Sequence, residues 1–191
     1  MKTKILLITI LSILFTMNTT TKAQPDNSKK ILVAYFSWSP NGNTRVMAQI
    51  IQDRTGADIF EIVPVNDYPT DYNACVQQAR TESQNNHRPA IKNNVENIGD
   101  YDIIFVGSPS WWSTVAPPVA TFLSTHDLNG KTIIPFITHE GSRMGRSVDD
   151  IKKLSPGSEV KTGRPIRGGD VRKDSTRSDI DKWLQDNEII K

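Results

Sequence analysis

The sequence predicts an α/β protein built on a doubly wound, mainly parallel sheet. Short apolar runs bounded by turn-forming residues recur along the chain, as expected of strands that are covered on both faces. Segments with helical spacing alternate with these runs five times, which predicts right-handed crossovers between parallel strands. The chain has 191 residues, of which 37% are hydrophobic. This length and composition suit one domain with a proper core, which we place at residues 31–191.

The first 23 residues differ from the rest of the chain. Lys2 and Lys4 precede a largely apolar run at 5–15, which is too short to span a bilayer as a helix of about 20 residues. A basic start, an apolar centre and a small residue at Ala23 are typical of a secretory signal peptide. We therefore predict cleavage near Ala23, a periplasmic or secreted location, and no stable membrane anchor after cleavage. A buried N-terminal helix is the alternative.

Charge and cysteine content restrict the function. Residues 1–23 contain three lysines and no acidic residue, so their removal changes the formal charge from +2 to −1. A nearly neutral mature protein lacks the positive field that drives nucleic-acid binding, and we predict no nucleic-acid partner. Cys75 is the single cysteine of the sequence. This excludes a disulfide scaffold and a redox dithiol within one chain, and it argues against a structural zinc site.

The first elements of the domain follow a polar tether at 24–30. The apolar run 31–36 predicts the first strand. A helix begins at Thr44, with apolar residues at helical spacing, and ends at Gly56, which is a suitable C-cap. A second strand is predicted at 59–65.

The remaining elements are predicted from the same patterns. Apolar runs indicate strands at 103–106 and 131–138, and a fifth strand region at 159–162 with a further piece at 165–166. Helical patterns indicate helices within 68–82 and at 115–123, 147–154 and 178–187. Pro117 and Pro118 suit the first turn of a helix, and Pro156 stops the helix before it. Pro135 argues against a regular centre of the fourth strand.

Ligands of such sheets bind beyond the carboxyl ends of the strands, so the loops there are candidate sites. Loop 1 (residues 37–44, SWSPNGNT) combines hydroxyl groups, the flexible Gly42 and a helix N-terminus, which together favour a phosphate. Loop 1 has no lysine or arginine and matches neither the Walker motif nor the dinucleotide fingerprint. A single phosphate monoester therefore fits it best. The alternative is an ordinary turn capped by Asn43 or Thr44.

Loops 2 and 3 follow the third and fourth strands. Loop 2 (residues 107–114, GSPSWWST) carries Trp111 and Trp112, whose flat faces suit a planar heteroaromatic ligand. The alternative is that one or both tryptophans belong to the core. Loop 3 (residues 138–145, THEGSRMG) contains glycines whose exposed N–H groups suit the carbonyl oxygens of such a ring. The alternative for loop 3 is a flexible turn.

The sequence resembles the flavodoxin family, and most of all its short bacterial flavodoxin-like branch. The resemblance is carried, in this order, by ILVAYFSWSPNGNTRVMA, DYDIIFVGSPSWWSTVAPPV and PFITHEGSRMG. GRPIRGGDV and the last helix fit as well, so the resemblance covers about residues 31–188. It implies a five-stranded parallel sheet in the order 2-1-3-4-5 within a three-layer αβα arrangement. It also implies non-covalent binding of flavin mononucleotide (FMN), which carries electrons.

The resemblance also assigns cofactor-binding residues to the three loops. The FMN phosphate would be held in loop 1 by Ser37, Ser39, Gly42, Asn43 and Thr44, and Trp38 and Asn41 complete the set. The isoalloxazine ring would be lined by Pro109, Ser110, Trp111 and Trp112. Its other side or edge would be formed by Gly141 and Ser142. We assign no catalytic side chain and no metal ligand, because the cofactor performs the chemistry.

Two features depart from the family pattern. The usual first loop is close to S-x-[ST]-G-N-T, whereas Pro40 and Asn41 are inserted here before Gly42. The insertion changes the expected contacts of Ser39 and Asn41. Many flavodoxins are strongly acidic, which suits docking to basic partners. The mature chain, at −1, is predicted to present a different partner surface.

These observations predict an exported flavodoxin-like protein that transfers electrons through FMN. Three functions stay open. The first is an electron carrier between proteins, and the second is an FMN-dependent reductase of quinones or similar small oxidants. The third is a flavodoxin-like module that binds a ligand without redox turnover. We favour the carrier, whose partner is a redox protein or a small oxidant.

Overall fold

The computed structural model describes residues 29–191. The predicted signal peptide and all but the last two residues of the predicted tether lie outside this part, so both assignments stay predictions. Within residues 29–191, no helix combines the length and the apolar character needed to cross a membrane.

A parallel sheet forms the centre of the molecule. Its strands are β1 (Ile31–Tyr35), β2 (Asp58–Glu61), β3 (Ile103–Trp111), β4 (Thr114–Val115), β5 (Thr132–His139), β6 (Glu159–Val160) and β7 (Arg164–Arg167). The parallel strands lie in the order β2-β1-β3-β5, and β6 and β7 both pair with β5. The predicted order 2-1-3-4-5 is therefore confirmed, with β6 and β7 together in the fifth position.

The fifth strand position is interrupted opposite Pro135 of β5. β6 pairs with Thr132 and Ile133, and β7 pairs with β5 from Phe136 onward. Pro135 has no N–H to donate, and on this side of β5 the ladder is interrupted at it, whereas the pairing with β3 runs through it. Gly163 turns the chain at this point with a φ of 79°. The irregularity predicted from Pro135 is thus found in the neighbouring strand, while β5 itself stays continuous.

In the described part of the chain, helices cover both faces of the sheet. They are α1 (Asn43–Thr55), α2 (Tyr72–Gln84), α3 (Pro117–Thr125), α4 (Ser147–Leu154) and α5 (Asp174–Asp186). Buried residues of α1 and α5 pack with strand residues such as Val33 and Phe105. Buried residues of α2, α3 and α4 pack with the alternate residues, such as Leu32 and Ile104. Because side chains alternate between the faces of a strand, this confirms the predicted three-layer αβα arrangement.

Several boundaries differ from the prediction. β2 ends at Glu61, four residues before the predicted end at residue 65. The N-cap of α1 is Gly42, which has no side chain, so the capping by Asn43 or Thr44 considered for loop 1 is wrong. α5 begins at Asp174 instead of residue 178. Its first turn is held by a hydrogen bond from the Thr176 hydroxyl to the Asp170 carbonyl oxygen, 2.7 Å long.

β3 extends five residues beyond its predicted end and reaches Trp111. The Gly-Ser-Pro sequence there indicates a turn by local rules, but the chain still pairs with β5 as far as Pro109. Gly107 allows this close approach, because a Cβ at that position would lie 2.1 Å from the Phe136 ring. Most of loop 2 is therefore strand.

What remains of loop 2 is a two-residue hairpin turn between β3 and the antiparallel β4. Its central residues, Trp112 and Ser113, have φ values of 52° and 62°. Positive φ at both central positions is typical of a type I′ turn, which favours Asn and Gly. A tryptophan in this conformation is uncommon and strained.

Candidate functional site

The carboxyl ends of β1, β3, β5 and β7 meet at one edge of the sheet. Loop 1 follows β1, the loop 2 hairpin follows β3, and loop 3 begins at the end of β5. A further segment, loop 4 (residues 168–173), follows β7 and begins with a short 3-10 turn at Gly168–Asp170. All predicted cofactor-binding residues belong to loops 1 to 3, so the fold brings them to the same edge.

Loop 1 wraps around the amino end of α1. Gly42 is buried with a φ of 60°, a left-handed conformation that glycine adopts without strain. Its N–H donates to the Ser39 carbonyl oxygen at 2.8 Å, and the Asn43 N–H donates to the Ser39 hydroxyl at 3.3 Å. The inserted Pro40 and Asn41 are exposed. The insertion therefore extends loop 1 outward and leaves the start of α1 intact.

The Ser37 hydroxyl is buried and has no hydrogen-bond partner among the described residues. An unpaired buried hydroxyl costs free energy, and native proteins keep few of them. This one lies in the loop that the sequence assigns to a phosphate. A phosphate oxygen would be an acceptor for it, so loop 1 fits that ligand group.

Thr44 is 2% exposed, and its hydroxyl lies 2.8 Å from the hydroxyl of Thr138 at the end of β5. This contact ties the start of α1 to the start of loop 3. A hydroxyl has one proton and two acceptor lone pairs. If Thr138 donates, the proton of Thr44 stays available for a ligand oxygen.

Trp111 belongs to an aromatic cluster at the carboxyl ends of β1 and β3. Its ring centroid lies 4.8 Å from that of Tyr68, 5.5 Å from Phe36 and 6.2 Å from Trp38, each edge to face. The Trp38 indole N–H donates to the Pro69 carbonyl oxygen at 3.1 Å. Trp38 and Trp111 are half-buried, whereas Phe36 and Tyr68 are buried. The alternative that a tryptophan of loop 2 belongs to the core thus holds in part for Trp111, which packs on the core and keeps some exposed surface.

Trp112 is the exposed member of the tryptophan pair, with 45% of its surface accessible. Its indole N–H donates to the Val76 carbonyl oxygen at 3.2 Å, and the Arg80 guanidinium lies 5.1 Å from its ring centroid. Trp112 therefore rests against α2 and does not join the aromatic cluster. Backbone strain of the kind seen at Trp112 persists only where the surrounding structure maintains it. Such strain clusters at functional sites.

Loops 2 and 3 touch each other directly. The Ser142 hydroxyl donates to the Ser110 hydroxyl at 2.6 Å, and the Arg146 N–H donates to the Ser113 carbonyl oxygen at 2.8 Å. Gly145 has a φ of 50°, and a Cβ there would lie 2.2 Å from the same Ser113 oxygen. Two predicted ring-lining residues, Ser110 and Ser142, are thus in contact.

Pro109 and Gly141 are two further residues that the sequence predicts to line the ring. Pro109 is half-buried and lies opposite Thr138 in the ladder between β3 and β5. Gly141 is exposed, and nothing lies within 4 Å of the position of its Cβ. Both therefore lie at the edge where loops 2 and 3 meet.

Loop 4 contacts two of the candidate loops, and sequence reasoning missed it. Arg172 donates from Nη1 to Asn43 Oδ1 at 2.8 Å and from Nη2 to the Asn41 carbonyl oxygen. A Cβ at the buried Gly168 would lie 2.6 Å from Asn43 Nδ2 and 2.4 Å from a Glu140 carboxylate oxygen. Loop 4 therefore packs against loops 1 and 3. The segment GRPIRGGDV carries part of the family resemblance, but no local pattern indicates a contact 129 residues away.

His139 at the end of β5 has a buried Nδ1 without a partner among the described residues. Burial lowers the pKa of His139, and the nearby Arg143 guanidinium lowers it further, although Glu140 opposes this shift. His139 is therefore mainly neutral near pH 7. The Glu140 carboxylate lies 3.7 Å from Arg167 Nε, so these two opposite charges balance each other at this edge of the sheet.

The chain matches the family model described as flavodoxin over residues 30–187. A comparison with curated proteins finds no match. Among solved structures, a protein from Bacteroides eggerthii that is classed as a flavoprotein is 37% identical, with a TM-score of 0.72. The similarity covers 83% of this chain and 97% of that one.

Two more solved structures share the architecture. One is a protein from Bacteroides uniformis, also classed as a flavoprotein, with 26% identity, a TM-score of 0.70, and 82% of this chain and 98% of that chain covered. The other is a flavoprotein from Lactobacillus acidophilus in complex with FMN. It is 25% identical, with a TM-score of 0.63, and the similarity covers 82% of this chain and 99% of that chain.

Proposed function

This chain belongs to the flavodoxin family, and from that premise we propose that it is an exported electron carrier that binds FMN non-covalently. The family and the likeness to the FMN complex from Lactobacillus acidophilus support FMN as the cofactor. The electron-carrier role and the export rest on further arguments from the residues.

The observation that carries the proposal is the meeting of loops 1, 2 and 3 at one edge of the sheet. Loop 1 offers a left-handed glycine, the amino end of α1 and the unpaired Ser37 hydroxyl, which are the groups a phosphate requires. Loops 2 and 3, joined through Ser110 and Ser142, offer aromatic faces and backbone groups for the ring. The phosphate and the ring of FMN thus each have matching loops.

FMN supplies the redox chemistry when bound, since a flavin exchanges one or two electrons. The residues bind, orient and shield it. The aromatic cluster around Trp111 forms an apolar wall at this edge, which excludes water and disfavours negative charge on the ring. Such a wall would lower the reduction potential of a flavin bound against it. The exposed Trp112 lies at the rim, where a partner would approach.

Export is supported by the pattern of residues 1–23. Lys2 and Lys4, the apolar run 5–15 and the small residue Ala23 together resemble a leader that directs a chain out of the cytoplasm. The first arginine of the sequence is Arg45, so residues 1–23 contain no twin-arginine pair. We therefore place the mature protein in the periplasm or the medium.

The test is a redox titration of residues 24–191 after addition of FMN. We expect FMN to remain bound through gel filtration and to quench tryptophan fluorescence. A carrier transfers single electrons, so its Nernst plot has a slope of about 59 mV per decade. The reduced protein should then pass electrons to an oxidised protein acceptor without steady turnover of quinones.

The other two functions give different outcomes in the same experiment. A slope of about 30 mV per decade, together with steady turnover of a quinone at the expense of a reductant, identifies the reductase. Protein that leaves gel filtration without bound flavin, after incubation with excess FMN, identifies the non-redox module and contradicts the proposal.

A further inference from the structure

Loop 1 contains no cationic side chain, yet the fold brings one to it from loop 4. Arg172 donates from one guanidinium nitrogen to Asn43 Oδ1 at 2.8 Å and from another to the Asn41 carbonyl oxygen. Asn43 belongs to the set expected to hold a phosphate, and Asn41 belongs to the insertion that distinguishes this loop. One planar guanidinium therefore links the inserted Asn41 to Asn43, and a lysine ammonium lacks the planar fork that makes both bonds in this geometry.

The charge of Arg172 is not balanced by a carboxylate in the described part of the chain. The other two cations of segment 167–173 are paired: Arg167 lies 3.7 Å from Glu140, and Lys173 lies 2.6 Å from Asp170. No carboxylate oxygen within residues 29–191 lies within 4.0 Å of the Arg172 guanidinium, so Arg172 forms no ion pair there. Both of its hydrogen bonds go to neutral oxygens. The positive charge beside loop 1 is thus available to a ligand.

We propose that Arg172 determines the specificity of loop 1 for a phosphate monoester. It ties the inserted Asn41 to Asn43 through its two hydrogen bonds and supplies the positive charge that loop 1 itself lacks. A phosphate monoester carries between about one and a half and two negative charges at neutral pH, because its second pKa is near 6. Arg172 therefore favours FMN over riboflavin, which has the same ring without the phosphate. The inference rests on the proposed binding of FMN.

Gly168 makes the position of Arg172 possible. Asn43 Nδ2 and a Glu140 oxygen approach the place of the missing Gly168 side chain to within 2.6 and 2.4 Å. Loop 4 can therefore lie directly on loops 1 and 3, so that the arginine four residues later reaches loop 1. The sequence GRPIRGGDV thus provides both the close approach and the charge.

The test compares FMN and riboflavin dissociation constants at low and high salt for residues 24–191. Arg172→Ala and Arg172→Gln remove the charge, and Arg172→Lys retains it without the planar fork. We expect the first two to weaken FMN binding about tenfold at low salt and to change riboflavin binding by less than about twofold. Their FMN affinity should depend less on salt than that of the wild type, while Arg172→Lys should keep the salt dependence. Lys182→Ala, which removes an exposed charge from α5, is the matched control.

Each other outcome contradicts the inference in a distinct way. Equal losses for FMN and riboflavin would mean that Arg172 only braces the loops, and thermal unfolding of the ligand-free variants would reveal such a structural role. Wild-type affinity and salt dependence in Arg172→Gln would exclude a role of the charge. Unchanged FMN binding in all three variants would overturn this inference alone. A wild-type protein that binds neither flavin would overturn the proposed function together with it.

Discussion

At the scale of single residues, the site contains several groups whose burial or backbone conformation lowers the stability of the fold. The Ser37 hydroxyl is buried without a partner among the described residues, and Trp112 and Ser113 have left-handed backbones. Each such feature costs on the order of 1–3 kcal/mol. The surrounding fold maintains them, and features of this kind cluster at active sites and ligand-binding sites.

Ser37→Ala separates ligand binding from stability. We expect it to weaken FMN binding by about 1.5–3 kcal/mol, the scale of a hydrogen bond to a charged group, and to leave riboflavin binding unchanged. The ligand-free protein should not lose thermal stability, because the hydroxyl has no partner to lose. Calorimetric titration and thermal unfolding measure both effects. Ser39→Ala is the matched control, since it removes the acceptor of the Asn43 N–H and should lower stability.

The two tryptophans should respond differently to truncation. Trp112→Ala should weaken binding of FMN and riboflavin alike, by about 1–3 kcal/mol, because its exposed ring is predicted to line the flavin. Trp111→Ala should instead lower the free energy of unfolding by roughly 3 kcal/mol, because Trp111 packs against three aromatic rings. Urea unfolding and fluorescence titration distinguish the two. Flavin affinity that is unaltered in a folded Trp112→Ala protein would contradict its placement in the site.

His139 should make the stability of the fold sensitive to acid. Its pKa is lowered in the folded protein, chiefly by burial and then by Arg143, so the unfolded chain binds the proton more tightly. The stabilisation is therefore complete above the ordinary histidine pKa of about 6.5 and is lost as the pH falls through the lowered value. His139→Gln should lose less unfolding free energy than the wild type between about pH 7 and pH 5. Urea unfolding measures this, with the exposed His87→Gln as control; identical pH profiles for all three proteins would refute it.

At the scale of elements, the site depends on contacts between loops that start from different strands. Gly145 of loop 3 lies against the Ser113 carbonyl of the loop 2 hairpin, and a Cβ would lie 2.2 Å from that oxygen. Gly145→Ala should therefore push the two loops apart and add strain at a φ of 50°. We expect FMN and riboflavin affinities to fall together by at least about 1 kcal/mol, because the ring site is altered and the phosphate site is not.

Gly99→Ala is the matched control for this prediction. Gly99 lies before β3, away from loops 1 to 4, and nothing lies within 4 Å of its Cβ position. Its substitution should leave both flavin affinities close to those of the wild type, as determined by fluorescence titration. A Gly145→Ala protein that discriminates more strongly against FMN than against riboflavin would show that loops 2 and 3 also shape the phosphate site.

The elements also show how far the sequence alone could lead. Apolar runs identify buried strands, so β1 and β5 were predictable, and the parallel topology then places loops 1 to 3 at one edge. The extension of β3 to Trp111 was not predictable, because Gly107 and Pro109 indicate a turn locally while pairing with β5 overrides that preference. The contact between Arg172 and Asn43 joins residues 129 positions apart, and no local pattern reports such a distance.

At the scale of the whole molecule, charge and export are linked. Residues 1–23 contribute three lysines and no acid, so the formal charge falls from +2 to −1 if they are removed. A nearly neutral protein has little long-range field to steer a partner. Partner selection would then depend on the local surface around the exposed Trp112, where Arg80 lies 5.1 Å from the ring.

The last prediction concerns where the cofactor is acquired. A leader without twin arginines implies passage through the export channel as an unfolded chain, and a non-covalent cofactor cannot travel with it. The protein should therefore fold outside the cytoplasm and bind FMN there. Cell fractionation of the full-length protein, with mass measurement and a flavin assay, should find a mature chain that starts near Gln24 and can be loaded with FMN. A leaderless chain, residues 24–191, is the control and should remain in the cytoplasm and take up FMN there.

The same experiment decides which electron donor is available. Dissolved nicotinamide cofactors are not expected outside the cytoplasm, so an exported protein would receive electrons from a membrane-bound or exported donor. Loop 1 agrees with this, since it lacks the dinucleotide fingerprint. Uncleaved protein that is loaded with FMN and confined to the cytoplasm would overturn both the export and the inferred donor. Cleaved protein outside the cytoplasm that refuses added FMN would keep the export and contradict the redox role.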